Sequence, residues 1–553
     1  MAVLAAVVLL TACAGGDGDS GTGSGILATV FGGGEEKAAT RSRLIESDLV
    51  FFGVVAGDEP VAVRAAEEVL KYGGSAADAA VALALTLGVT MPSMASLGGG
   101  GVCIVHDPGR PETEIIDFIA PPGSSVAGAD RPSAIPTMLR GVTALHARYG
   151  QQDIRTLLAS AEKLARFGFV VSRASARDFQ LAAQPLFNDP AARDVFARRG
   201  GAAPAEGDTL VQADLAETFS SLRTNGVSSF YKGPMAEKIV EGVTAAGGTL
   251  TLDDLAGYLP AWRKAVLVPY RDQVLAFAPP PAGVGVGGAL MWHMLASDDR
   301  YRNATEDGRA HLLVEAAKRA FAARDRWIYA APGSLPTESY ADAAIAAKLM
   351  AGFDPQRATP ASAVRSNQAA AAENPSGTGF VVVDLVGQAV ACTLTNYNFF
   401  GTGRVAPGTG MLVAAAPGEG DRNALSLGPV AVFEQGFRSF RLALAGAGGA
   451  ATTTATMTVL AESLLGEFPL ERAMQKPRVH HGGLPDVVLA EEAVPRGVVA
   501  ALRAKGNEVV TVPSLGRMNA AECPLGLDST IEEIACFVNT DPRGFGLAAE
   551  AER

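Results

Sequence analysis

The sequence is poor in the residues that hold metals. Its 553 residues include six histidines, of which only His480 and His481 are adjacent. Neighbouring side chains on an extended chain point to opposite faces, so this pair does not converge on one ion. The five cysteines, Cys13, Cys103, Cys392, Cys523 and Cys536, show no Cys-x-x-Cys or His/Cys spacing, and no zinc motif is left. Positive charge is scarce too. The 46 Lys and Arg stand against 58 Asp and Glu, a net charge of −12, which excludes a non-specific nucleic-acid surface. The four glycines Gly98 to Gly101 are not followed by Lys-Ser or Lys-Thr, so they do not form a phosphate-binding loop of that type. No internal repeat is evident, and beyond the first residues no run reads as membrane-spanning.

What is present is a globular composition, 48% hydrophobic and 19% charged, on a chain long enough to bury a large core. Residues 1–13, MAVLAAVVLLTAC, are apolar but too short to span a bilayer. They end in Leu10-Thr11-Ala12-Cys13, which resembles a bacterial lipobox and would make Cys13 the lipidated first residue of a mature protein on the periplasmic side of the membrane. This segment carries no Lys or Arg, and a cleaved secretory signal without lipid is the other reading. Residues 14–46, rich in Gly and Ser at their start, read as a flexible tether, with the folded part beginning near Ser47.

Along the folded part, Pro60 to Tyr72 has helical apolar spacing and stops at Gly73-Gly74. Ser75 and Asp78 form a capping-box pattern before an Ala-rich helix that is apolar all round and therefore buried. A strand over Val102 to His106 follows the glycine run. Helices are expected near Thr143 to Gly150, within Leu157 to Ser172 and over Val314 to Arg326. A hairpin is expected from Phe380–Val383 and Ala389–Thr395 around a turn with Gly387. A strand over Phe440 to Ala445 and a helix from Ala450 flank Gly448-Gly449. The polar, Ala-rich stretch 354–376 reads as a mobile segment.

Two stretches, GGSAADAAVALALTLGV…GGGG and ENPSGTGFVVVDLVGQAVACTLTNYNFFGTG, resemble the gamma-glutamyltransferases (gamma-glutamyltranspeptidase, glutathione hydrolase). The resemblance runs from about residue 55 to about 545. It implies the α/β, four-layer αββα sandwich of the N-terminal-nucleophile hydrolases, built from a large-subunit-like region (47–376) and a small-subunit-like region (377–553) that form one domain. Precursors of that family cut themselves before a Thr. The freed hydroxyl then attacks gamma-glutamyl amides, with its own α-amino group as base. No cofactor or metal is implied.

Residue by residue, the resemblance carries departures. Counting back from Asp384, the nucleophile position falls on Gly377. Thr378 comes next and is the candidate nucleophile, with Ser376 one residue early. Thr395 matches the Thr that positions the nucleophile, and Tyr397 stands where the family has Asn. Glu419 falls where an Asp binds the substrate amine. Ser426 matches the second of two serines and Leu425 replaces the first. Gly448 and Gly449 match the oxyanion pair. Ile119 replaces the Arg that holds the substrate α-carboxylate, a task an apolar side chain cannot perform. The expected function is a gamma-glutamyltransferase-like amide hydrolase or transferase acting on small gamma-glutamyl compounds such as glutathione through an autoproteolytically freed Thr. The alternatives are an unprocessed, inactive relative that binds a ligand or partner, and an acylase of altered specificity.

Overall fold

Strict in–out alternation along its central strands decides the architecture. In Gly377–Asp384, Val381 and Val383 point to one side, and Phe380 and Val382 to the other. Both sides are buried, so this strand needs a layer on each face. The computed structural model describes residues 50–124, 127–328, 339–364, 376–418, 424–531 and 533–553, with the side chains of 325–328 and 339 set aside. Residues 1–46, including Cys13, and Glu419 lie outside the described residues.

Among the described residues, thirteen strands build two antiparallel sheets. In chain order they are β1 Phe51–Gly57, β2 Gly100–His106, β3 Glu114–Phe118, β4 Ala261–Lys264, β5 Val266–Tyr270, β6 Gln273–Phe277, β7 Gly377–Asp384, β8 Ala389–Thr395, β9 Val430–Glu434, β10 Phe440–Ala447, β11 Arg517–Leu527, β12 Phe537–Thr540 and β13 Leu547–Glu552. The first sheet has the order β13-β1-β7-β8-β2-β3-β4, and the second β12-β11-β10-β9-β6-β5. Small side chains fill the space between them: Ala276, Ala389, Ala391, Ala431, Ala443, Ala445 and Ala521, with Val54, Val381 and Val383. Gly379 marks a close approach of the two sheets. A Cβ there would sit 2.6 Å from both Ala445 C and Gly446 N of β10.

Helices cover both outer faces. On the first sheet lie α1 Pro60–Lys71, α2 Ala76–Thr90, α3 Met138–Tyr149 and α4 Ile154–Phe167. On the second lie α5 Gly283–Ala296, α6 Glu306–Ile328 and α7 Ala451–Leu460. The result is the αββα sandwich. The capping box at α2 forms as the sequence implies, Ser75 N donating to Asp78 Oδ2 at 3.0 Å and Asp78 N to Ser75 Oγ at 3.2 Å. Ala76 N also donates to Asp384 Oδ2 at 3.0 Å, which ties α2 to the hairpin turn.

Residues 49–553 form one unit, because β7 and β8 from the C-terminal region lie between β1 and β2 from the N-terminal one. The glycine run serves packing: a Cβ on Gly99 would lie 2.5 Å from Thr395 O and 2.7 Å from Asn396 Oδ1. The stretch 354–376 differs from expectation in its described first part. Ala358 N donates to Lys505 O at 2.7 Å, Thr359 N to Glu315 Oε1 at 3.0 Å and Ala361 N to Asp486 Oδ2 at 2.7 Å. The buried Glu315, the half-buried Lys505 and the exposed Asp486 thus hold backbone that composition alone marked as loose, while 365–375 lie outside the described residues. His480 and His481 engage separate partners, Thr454 at 2.9 Å and Asp486 at 3.0 Å.

Candidate active site

The entry of β7 is where the candidate residues gather. Gly377 pairs with Thr395 of β8, and Thr378 with Leu394. Thr395 Oγ1 donates to Ser376 O at 3.1 Å and accepts from Tyr397 N at 2.8 Å, while Asn396 N also donates to Ser376 O at 3.1 Å. The carbonyl just before Gly377 is therefore held by two donors. A Cβ on Gly377 would lie 3.9 Å from Thr395 Oγ1, so the position opposite this hydroxyl carries no side chain.

Strand parity separates the two adjacent positions. Gly377 shares the inter-sheet face with Val381 and Val383, and Thr395 shares it with Ala389 and Ala391. Thr378 shares the opposite, helix-covered face with Phe380 and Val382. A one-residue slip of the strand, which would bring Thr378 opposite Thr395, is not the observed register. Thr378 is fully buried, and its Oγ1 donates to Asp58 Oδ2 at 2.9 Å. Asp58 follows β1. Its Oδ1 accepts from Asn519 Nδ2 at 2.9 Å, and Arg517 Nε lies 3.9 Å from Oδ2. Asn519 Nδ2 also donates to Gly379 O at 2.8 Å. Asp58, Arg517 and Asn519 were missed at the sequence level, because they lie at least 320 positions from Thr378 or in another sheet. The one sequence cue was an Asp closing a strand before a helix.

The other candidates come from neighbouring elements. Loop 424–428 is tied to β8 by Gly428 N donating to Thr393 Oγ1 at 3.2 Å, and it carries Ser426, half-buried, and Leu425, buried. Gly448 and Gly449 have φ of 131° and 65° and join β10 to α7, so their N–H groups stand at the head of that helix. Ile119 follows β3 and packs against Ala120, Ala134, Tyr397, Ala414 and Ala415. Tyr397 is buried with φ of 61°, and its hydroxyl donates to Ala120 O at 2.7 Å. Burial drives its phenol far above the ordinary range. Arg263 lies nearby on β4, in register with β3, and its Nε donates to Asp117 Oδ2 at 2.8 Å.

Two sheets face to face between helices, with the candidate nucleophile opening a central strand, define an N-terminal-nucleophile hydrolase fold. The comparisons name the family within it. The gamma-glutamyltranspeptidase family model matches residues 62–549. The glutathione hydrolase proenzyme of Escherichia coli (strain K12) is 30% identical over 509 residues, covering 84% of this chain and 87% of that protein. The acylase ACY 1 proenzyme of Pseudomonas sp. (strain SE83) is 29% identical, covering 91% and 93%. Among solved structures, a cephalosporin acylase from Bacillus halodurans superposes with a TM-score of 0.77 at 23% identity, covering 93% of this chain and 99% of that one. The chain belongs to the gamma-glutamyltranspeptidase family.

Proposed function

We propose that the chain is a gamma-glutamyltransferase-like amide hydrolase or transferase whose nucleophile is Thr378, freed by cleavage of its own chain. Its substrates are small gamma-glutamyl amides, the class to which glutathione belongs. The observation that carries the reading is the Thr378 hydroxyl, 2.9 Å from the Asp58 carboxylate at the entry of the central strand. An alcohol is a weak nucleophile until a base stands beside it. Thr395 stands on the other face of β7, and the loop carrying Ser426 is tied to that face through Thr393; the oxyanion donors of the resemblance are Gly448 and Gly449. Thr395 serves here by fixing the Ser376 carbonyl.

A second reading, an acylase of altered specificity, is favoured by the apolar cluster around Ile119. A substrate carboxylate placed there would be desolvated without a cation to compensate it. An acyl chain without an α-carboxylate would bury favourably. Hydrolysis of γ-glutamyl-p-nitroanilide and butyryl-p-nitroanilide by purified protein separates the two. Faster release from the first supports the gamma-glutamyl reading, faster release from the second the acylase reading, and release from neither defeats both.

Export to the periplasmic side of a bacterial membrane, with lipid on Cys13, belongs to the same proposal. The two disulfides, Cys103–Cys392 and Cys523–Cys536, support an oxidising compartment. Membrane fractionation of the wild type against Cys13→Ala tests it. A variant that stays with the membrane as the wild type does would refute lipidation at Cys13.

A further inference from the structure

The resemblance puts the self-cut before the residue opposite Thr395, yet that residue is a glycine without a hydroxyl. The nearest strand hydroxyl is Thr378, and its partners form a set that the family comparison does not assign. Asp58 is 5% exposed, and both its oxygens are engaged: Oδ2 by Thr378 Oγ1, Oδ1 by Asn519 Nδ2. Asn519 holds the carboxylate and the Gly379 carbonyl with one amide nitrogen, so Asp58 and the strand backbone keep a fixed spacing. A small pocket of about 10 Å³, room for about one water, lies beside Asp58 and is lined by Met91, Arg177, Asp178, Arg517 and Phe545.

We propose that the chain cuts itself between Gly377 and Thr378, with Asp58 as the general base for the Thr378 hydroxyl and Asn519 as its positioning residue. This rests on the hydrolase reading given above and deepens it by fixing the bond and the base. Asp58 takes the Oγ1 proton as Oγ1 adds to the Gly377 carbonyl carbon. The Gly377–Thr378 C–N bond breaks, and the proton passes from Asp58 to the departing nitrogen, leaving an ester between Gly377 and Oγ1. One water then adds to that ester. It yields a Gly377 carboxylate, the Thr378 hydroxyl and a free α-amino group, so a single water is consumed. Gly377 favours the attack, since no side chain crowds the carbonyl. The pocket beside Asp58 has room for about one water on that side of the bond.

The test is intact-mass analysis of the reduced full-length protein over time, beside a separate amide-hydrolysis assay. The wild type is expected to yield a C-terminal fragment beginning at Thr378. Thr378→Ser is expected to retain the cut and Thr378→Val to abolish it. Asp58→Asn is expected to slow it at least about a hundredfold, the usual contribution of a general base, with its melting temperature unchanged. Should Asp58→Asn fail to fold, Asn519→Ala is expected to slow the cut about tenfold while keeping the same bond. A wild type that stays whole, a fragment with another first residue, or an Asp58→Asn protein that cuts at the wild-type rate would overturn the proposal. A folded Asn519→Ala protein cutting at the wild-type rate would remove Asn519 from it. Hydrolysis by an uncut chain would sink this proposal and spare amide hydrolysis as the function. A correct cut without hydrolysis would do the reverse.

Discussion

Single residues set the chemistry available at the strand entry. Gly377 and Thr378 are neighbours in sequence but face opposite sides of the sheet, and that parity alone moves the candidate hydroxyl from Thr395 to Asp58. On the inter-sheet side, Ile119 packs in an apolar cluster, and the proposed acylase reading rests on it. Ile119→Arg is expected to raise kcat/KM for γ-glutamyl-p-nitroanilide relative to butyryl-p-nitroanilide by about tenfold or more, since a guanidinium in place of apolar surface compensates a carboxylate. Steady-state kinetics on the two substrates reads the ratio. Elsewhere His106 sets acid sensitivity. Its Nε2 donates to Arg438 O at 2.7 Å, so Nδ1 accepts from Thr113 Oγ1 at 2.9 Å, and the ring stacks on Phe433. Burial holds its pKa down to about 3. The folded value lies below the unfolded one, so the neutral ring's contribution is complete above about pH 6.5 and is lost as pH falls toward 3. By pH 5 the loss is about 2 kcal/mol. Unfolding curves at pH 7 and pH 5 should show His106→Gln losing that much less than the wild type.

At the scale of elements, β7 is the member that everything else positions. It pairs with β1 and β8, packs under β10 at Gly379 and begins at the candidate cleavage site. The close approach at Gly379 leaves no room for a methyl group, because the opposing atoms are backbone and cannot rotate away. Gly379→Ala is expected to cost about 1–3 kcal/mol, the usual penalty for overpacking. Denaturant titration measures it, and an unchanged midpoint would contradict the packing argument. Much at this scale was legible beforehand. The hairpin turn at Gly387, the α2 capping box and the strand-to-helix glycines follow from local rules of turn and cap chemistry. The upstream part of β7, residues 377–379, was not legible. Two glycines around one Thr give no apolar alternation, and their strand conformation comes from pairing with β8.

At the scale of the molecule, two regions of sequence interleave in one sheet, and Cys103 of β2 is joined to Cys392 of β8 across directly paired positions. A cut after residue 377 leaves Cys103 on one fragment and its partner Cys392 on the other. The processed protein is therefore expected to run as one species on a non-reducing gel and as two after reduction. Two species without reductant would show that this disulfide does not form. Neither pairing could be read from the cysteine spacings, since Cys103 and Cys392 are 289 positions apart and meet only through strand order.

The sequence by itself determined the family, the existence of most central elements and the list of departures at Gly377, Ile119, Leu425 and Tyr397. These are local facts of residue type and spacing. The tertiary structure alone decided which face each residue presents, that Asp58 meets Thr378 and Asn519 meets Asp58, and that Tyr397 joins the apolar cluster around Ile119. Those outcomes depend on sheet register and on the stacking of two sheets, which bring together residues hundreds of positions apart and leave no periodic mark along the chain.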